Sequence, residues 1–185
     1  MAGTARALGS YSGAAIALHW VIALAIFGQL IGIEYAESLP KGDPALPFLF
    51  MMHKSTGLTI LGLTLVRVIM RLQRGFLPLP VHMSGWEVAL ARASHVGFYA
   101  LLLLMPLTGW IFSVSAERTF DWYGLFAVPP LPLRAFAETA HELHEWGATA
   151  FLVLIGLHIA GALKHQFLDR DGLMRRMLPG DGATK

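Results

Sequence analysis

Residues 141–164 read HELHEWGATAFLVLIGLHIAGALK, and this segment is typical of a membrane-spanning helix. From 146 to 163 it carries no Asp, Glu, Lys or Arg, which is close to the roughly 20 apolar residues that a membrane-spanning helix needs. His144 and His158 stand near its two ends, fourteen residues apart. Fourteen helical residues turn to within about 40° of four full turns and rise about 21 Å. Both imidazoles are therefore expected on one face of a spanning helix, near opposite membrane surfaces.

Three further apolar stretches extend this pattern to four helices. Residues 7–33 and 93–116 carry no charged side chain, and the cationic residues of 49–72 lie near its ends, where they can reach the membrane surface. The first run is too long for the apolar part of a cleaved signal peptide. The predicted helices cover residues 14–35, 50–72, 92–115 and 141–164. The predicted fold is an all-α membrane protein, a four-transmembrane-helix antiparallel bundle with one domain over residues 1–185 and a tail at 165–185.

The composition excludes several classes of protein. Apolar residues make up 55% of the chain and charged residues 14%, whereas a typical soluble domain is about 25% charged. Cysteine is absent, which excludes disulfides, thiolate nucleophiles, iron–sulfur clusters and cysteine-bound zinc. The basic residues lie at helix ends and form no exposed basic face, so lipid and not nucleic acid is the expected partner.

The distribution of Lys and Arg predicts the orientation in the membrane. With four spans, both termini lie on one side, which holds ten basic residues. The other side holds four, Lys41, Lys54, Arg118 and Arg134. By the positive-inside rule the termini are cytoplasmic. The loop at 116–138, rich in proline and aromatic residues, is expected to lie partly in the outer membrane interface.

Four histidines stand out within the predicted spans, where ionisable residues usually have a function. The first helix runs outward, so His19 lies at the depth of His158 near the cytoplasm. The second helix begins outside, so His53 lies at the depth of His144. The pairs His19/His158 and His53/His144 have the geometry for two stacked haems, each iron bound by two imidazoles. Two axial histidines favour electron transfer over oxygen binding.

The remaining histidines offer weaker alternatives. His141 is a rival to His144 but lies about 100° out of phase with His158. His165 is too close to His158 to serve a separate haem, and His82 is expected to be solvated in a loop. His95 either contacts a haem propionate or a quinone, or is a solvated histidine at a helix end. A non-haem membrane metal transporter remains an alternative, since His and Met also bind other metals.

Glycines accompany the histidines at helical spacing. Gly57 follows His53, and Gly147 and Gly161 each follow a histidine of the last span by three residues. Gly28 and Gly32 form a GxxxG pattern in the first span. These positions predict close helix–helix packing, which is common in membranes, or room for the face of a porphyrin.

Short sequence tags connect the histidines to a known family. Ala17-Leu18-His19-Trp20, Met52-His53, the segment RVIMR at 67–71, Leu143-His144-Glu145 and Gly156-Leu157-His158 together resemble the bacterial cytochrome b561 family. The resemblance covers residues 11–179. It implies a four-helix membrane bundle with two b-type haems, and the axial iron ligands of the family fall on His19, His53, His144 and His158.

The resemblance also implies an activity. In the branch that the chain resembles, which lies in the bacterial inner membrane, superoxide is oxidised to O₂ at the periplasmic side and ubiquinone is reduced. The resemblance thus implies that the chain is an oxidoreductase. The alternative is a cytochrome b subunit that relays electrons between a partner dehydrogenase or hydrogenase, or another periplasmic donor, and quinone. Arg67 and Arg71 are candidate contacts for haem propionates or quinone. Lys54, Arg118 and Arg134 are candidates for steering an anion.

Overall fold

The computed structural model describes residues 11–75, 77–113 and 119–178. Within these ranges the chain forms four long helices, α1 (Gly13–Ser38), α2 (Leu46–Arg74), α3 (Gly85–Ser113) and α4 (Ala137–Leu163). Each helix is long and apolar enough to cross a membrane. Helices that are consecutive along the chain pack against each other, antiparallel. The predicted fold class, a four-helix transmembrane bundle, is confirmed.

All four helices begin before their predicted starts, most of all α3, which begins seven residues earlier. Ser84 precedes α3, and its backbone N–H and its hydroxyl both donate to the Glu87 carboxylate at 2.8 Å. This is the reciprocal half of a capping box, which satisfies a free N–H at the helix start. Lys164 at the end of α4 also donates to Glu87, at 2.7 Å. Because Glu87 has these partners, α3 can begin with a turn that carries a charged residue. Hydropathy alone predicted a later start.

A layer of apolar side chains crosses the middle of the bundle. Each helix contributes one buried residue to it, namely Ile22, Ile60, Leu102 and Phe151. Phe151 lies seven residues from His144 and seven from His158, about 10 Å along the axis from each. The layer therefore separates two histidine levels, one at each end of the bundle.

A β-hairpin covers the end of the bundle opposite the termini and was not predicted. Strands β1 (Phe120–Trp122) and β2 (Phe126–Val128) pair antiparallel. The three residues 123–125 connect them. Tyr123 and Gly124 have φ angles of 50° and 73°, and two such positive values are typical of a tight hairpin turn. The Tyr123 N–H donates to Oγ of Ser55 at 2.9 Å, and Ser55 is fully buried. The hairpin is thus fastened to α2 within two residues of His53.

The segment after α4 folds back over the other end of the bundle. A π-helical turn spans Lys164–Asp169, and Arg170 then adopts a left-handed conformation with φ 52°. The Asp171 carboxylate accepts hydrogen bonds from the Leu173 N–H and from the rings of His165 and His82. Burial alone would raise the pKa of Asp171, but these hydrogen bonds lower it overall.

The glycines divide between packing and open positions. A Cβ at Gly147 would overlap Sδ of Met105, so this glycine permits the contact between α4 and α3. A Cβ at Gly28, Gly32 or Gly161 would meet no other atom within 4 Å. The expectation of close helix packing is therefore correct at Gly147 and wrong at the GxxxG pair and at Gly161.

Candidate functional site

The first histidine pair lies at the end of the bundle that holds the termini. The rings of His19 on α1 and His158 on α4 have their centres 6.3 Å apart, with 63° between their planes. Phe98 on α3 packs edge-on against His158 at 5.2 Å, and Trp20 packs against His19 at 5.4 Å. Aromatic neighbours of this kind restrict the rotation of both imidazoles.

The second pair lies under the β-hairpin at the opposite end. The ring centres of His53 on α2 and His144 on α4 are 6.2 Å apart, with 75° between the planes. Phe112 on α3 packs edge-on against His144 at 5.3 Å. The two pairs match the depth and phase deduced from the sequence, although ligation of iron by them stays a prediction.

Both ring separations suit a metal bound between two imidazoles. An imidazole nitrogen binds a first-row metal at about 2 Å, so two ligating nitrogens lie about 4 Å apart and the ring centres about 6 Å apart. The observed 6.3 and 6.2 Å agree with this spacing at both ends. The donor set, neutral imidazoles in apolar surroundings without thiolates, fits the axial ligands of a b-type haem.

The surroundings of His144 and His53 also support the binding of a metal between these two rings. The carbonyl oxygen of Met105 lies 3.0 Å from Nδ1 of His144 and can only accept, so Nδ1 carries the proton and Nε2 keeps a lone pair for a metal. Thr108, 3.2 Å from the same Nδ1, donates to the Met105 carbonyl. Nδ1 of His53 is buried without a hydrogen-bond partner among the residues that the structure describes. The described protein groups thus leave this nitrogen of His53 unsatisfied.

Met105 and Thr108 were not singled out in the sequence. Pro106 inside α3 is not the signal for them, because its missing N–H leaves free the carbonyl of residue 102, four residues earlier. The Thr108 hydroxyl donates to the carbonyls of Leu104 and Met105, and His144 also donates to that of Met105.

His95 lies beside the His19/His158 pair, and these three residues form the first histidine cluster. His95 is half-buried on α3, and its ring centre is 6.2 Å from that of His158. The alternative of a solvated helix-end histidine is therefore wrong for His95. Its distance from His158 equals that of His19 within 0.1 Å, so geometry alone gives His158 two candidate partners.

The other histidines lie outside the two pairs. The His141 side chain is 53% exposed and lies 3.6 Å from the Glu145 carboxylate. His82 is 56% exposed, as expected for a loop residue, and contacts Asp171. His165 is buried and hydrogen-bonded to Asp171 at 2.7 Å. These positions leave His144 as the partner of His53.

Arg67 and Arg71 lie beside the first histidine cluster. Arg67 donates to the carbonyl of Ala15, one turn before His19, at 2.7 Å, and it lies within electrostatic range of His19 and His95. The Arg71 guanidinium lies over the ring of Tyr11 at 5.3 Å. Both arginines line a cavity of about 50 Å³. Its further lining includes Arg74 and Tyr99.

The three cations considered for anion steering differ in their positions. Lys54 is half-buried next to His53, with Nζ 5.8 Å from the centre of the Phe120 ring in the hairpin. Arg134 is exposed in the 3₁₀ turn Arg134–Phe136 before α4. Arg118 lies outside the described residues. Lys54 is thus the described cation next to a histidine of the second pair.

Known proteins resemble this chain over most of its length. The family model described as "Prokaryotic cytochrome b561" matches residues 10–180. The chain is 28% identical over 170 residues to "Probable superoxide oxidase CybB" of Yersinia pestis, covering 91% of this chain and 96% of that protein. It is 30% identical over 179 residues to "Cytochrome b561 homolog 2" of Escherichia coli K12, covering 91% and 90%. "Cytochrome b561 homolog 1" of the same organism is 23% identical over 170 residues, covering 91% and 97%.

Proposed function

Because the chain belongs to the prokaryotic cytochrome b561 family, a family of membrane electron-transfer proteins that bind b-type haem, we propose that it is a superoxide:ubiquinone oxidoreductase of the inner membrane. The name of the Yersinia pestis relative supports the choice of superoxide. In this proposal the termini face the cytoplasm, and the hairpin end faces the periplasm.

The observation that carries the proposal is the pair of matched imidazole couples at opposite ends of one bundle. His19 and His158 would hold one haem b, and His53 and His144 would hold the other. Their ring separations of 6.3 and 6.2 Å suit the binding of one iron by both imidazoles of a pair. When bound, haem b supplies a one-electron Fe(III)/Fe(II) couple. The apolar layer around Phe151 keeps the two levels apart and excludes water between them.

The hairpin end suits a small anionic donor. Superoxide carries one negative charge, and Lys54 next to His53 attracts it electrostatically. Arg134 and Arg118 belong to the same side of the membrane. In the overall reaction two superoxide ions each lose one electron and become O₂, and one ubiquinone takes up the two electrons and two protons to become ubiquinol.

The acceptor side is proposed at the opposite end. The cavity near Arg67 and Arg71 lies beside His19, and His95 lies against His158. Guanidinium groups donate hydrogen bonds to carbonyl or carboxylate oxygens, so these residues contact the quinone or the haem propionates.

Stopped-flow mixing of the oxidised, detergent-purified protein with superoxide tests the activity. The α band of reduced haem b should appear faster than superoxide dismutates spontaneously, and added ubiquinone should then reoxidise the protein. A second sample with superoxide dismutase is the control. Reduction no faster than dismutation would remove superoxide as the substrate and leave the relay of electrons from a partner complex or another periplasmic donor.

A further inference from the structure

Arg176 stands out in the segment that folds back over the first histidine cluster. The residue is only 5% exposed, and its Nη1 donates to the carbonyl of Pro78 at 2.8 Å. Its Nε and Nη2 are buried and have no hydrogen-bond partner among the described parts of the chain. A buried guanidinium with unpaired donors is strongly destabilising unless an anion satisfies it.

The two unpaired nitrogens have a specific geometry. Nε–H and the adjacent Nη2–H of a guanidinium point the same way and form a fork that matches the two oxygens of a carboxylate. Nη1, which is already used by Pro78, lies on the other edge. Arg176 therefore presents a free bidentate edge while its remaining donor anchors it to the loop between α2 and α3.

The residue after Arg176 is bonded to the part of α1 that carries His19. The indole N–H of Trp20 donates to the carbonyl of Met177 at 2.7 Å, and Trp20 directly follows His19 and contacts its ring. The segment is held there by Asp171, which binds His165 and His82. The chain before and after Arg176 is thus fixed to the end of the bundle that carries the His19/His158 pair.

We propose that Arg176 binds a propionate carboxylate of the haem b held by His19 and His158. The inference rests on the proposed function, since that haem is part of it. A phospholipid phosphate has similar chemistry and could also take two N–H groups. The burial of the fork favours the propionate, because a lipid headgroup remains in contact with water whereas a porphyrin carboxylate can lie inside the bundle.

Redox titration of the full chain with both haems bound tests the assignment. A guanidinium against the propionate offsets a negative charge near the iron, which favours the reduced form. Arg176→Gln should therefore shift the midpoint potential of one haem downward and leave the other unchanged. Arg175→Gln is the matched control, since it removes the same charge from an exposed neighbour in the same turn and should change neither potential.

A second readout reports on the propionate itself. The propionate bending band in the resonance Raman spectrum depends on hydrogen bonding to the carboxylate and should move in Arg176→Gln but not in Arg175→Gln. If Arg176→Gln does not fold, Arg176→Lys carries the test, because it keeps the charge and loses the fork. A smaller shift of the same sign, with a changed propionate band, is expected for it.

The outcomes distinguish a failure of the Arg176 assignment from a failure of the proposed function. Unchanged potentials and an unchanged propionate band in the Arg176 variants would overturn the assignment while leaving two bound haems intact. Loss of a co-purified phospholipid from Arg176→Gln in native mass spectrometry, with both potentials unchanged, would assign the fork to a lipid phosphate and also overturn it. A wild-type protein without haem would contradict the proposed function and the assignment together.

Discussion

Gly109 on α3 lies so close to the ring of His144 that a methyl group there tests the role of this histidine. A Cβ at residue 109 would lie 3.2 Å from Cε1 and 3.5 Å from Nδ1 of His144. Carbon atoms pack best at about 3.5–4.0 Å, so in Gly109→Ala the ring must retreat by roughly 0.3–0.8 Å. We expect this retreat to weaken the 3.0 Å hydrogen bond between Nδ1 and Met105.

The size of the effect follows from the lost hydrogen bond. A net loss of about 1 kcal/mol corresponds to about a fivefold weaker hold on the haem. Loss of a partner that orients a metal-binding histidine typically costs about 10–100-fold in metal affinity. Gly109→Ala should therefore transfer one haem to excess apomyoglobin about 5–100 times faster than wild type. Alanine is favoured over glycine in a helix by about 1 kcal/mol, so the chain itself need not unfold more easily.

Gly62→Ala on α2 is the control. Residue 62 is exposed and a Cβ there meets nothing within 4 Å, so it brings the same helix preference without a contact. Its haem transfer should match wild type. If Gly109→Ala released neither haem faster than Gly62→Ala, the reasoning that His144 holds a haem in this orientation would be refuted.

Three further changes probe other parts of the molecule. Lys54→Gln should slow reduction by superoxide about fivefold at low salt, because one charge about 4 Å from an anion contributes about 1 kcal/mol in water; the difference should shrink in stopped-flow traces at higher ionic strength. Tyr123→Phe removes the hydroxyl that lies 3.1 Å from Thr56 and 3.3 Å from Thr59. The lost hydrogen bond contributes about 1 kcal/mol, so amide exchange in the hairpin should become about fivefold faster, with haem content unchanged. Asp171→Asn should speed tryptic cleavage of the tail at neutral pH. Because the pKa of Asp171 is lowered in the fold, its charge stabilises the docked tail above the ordinary pKa of the carboxyl, and this is lost as the pH falls through the lowered value.

The spans and histidine pairs were predictable from the sequence because both depend on local regularity. Apolar length defines a membrane helix, and the fixed turn of a helix relates His144 to His158 over fourteen residues. The early start of α3 was predictable in principle, since Ser84 and Glu87 have the spacing of a capping box. Hydropathy alone did not show this start, because Arg92 precedes the charge-free run at 93–116.

Contacts between distant segments were not predictable. The hairpin strands have three residues each, too few to show an alternating pattern, and the turn is fixed by Ser55, which lies 68 residues before Tyr123. The position of His95 against His158 depends on how α3 and α4 pack. The docked tail likewise depends on the bond from Trp20 to Met177, across 157 residues.

The haem content of histidine variants tests whether the pairs His19/His158 and His53/His144 each bind one haem. By the pyridine haemochrome assay, wild type should contain two haems b per chain, and His19→Ala and His53→Ala should each contain one. His95→Ala is the matched control, because its ring lies as close to His158 as that of His19 does, and it should retain two. Two haems in His19→Ala or His53→Ala, or none in wild type, would contradict the account.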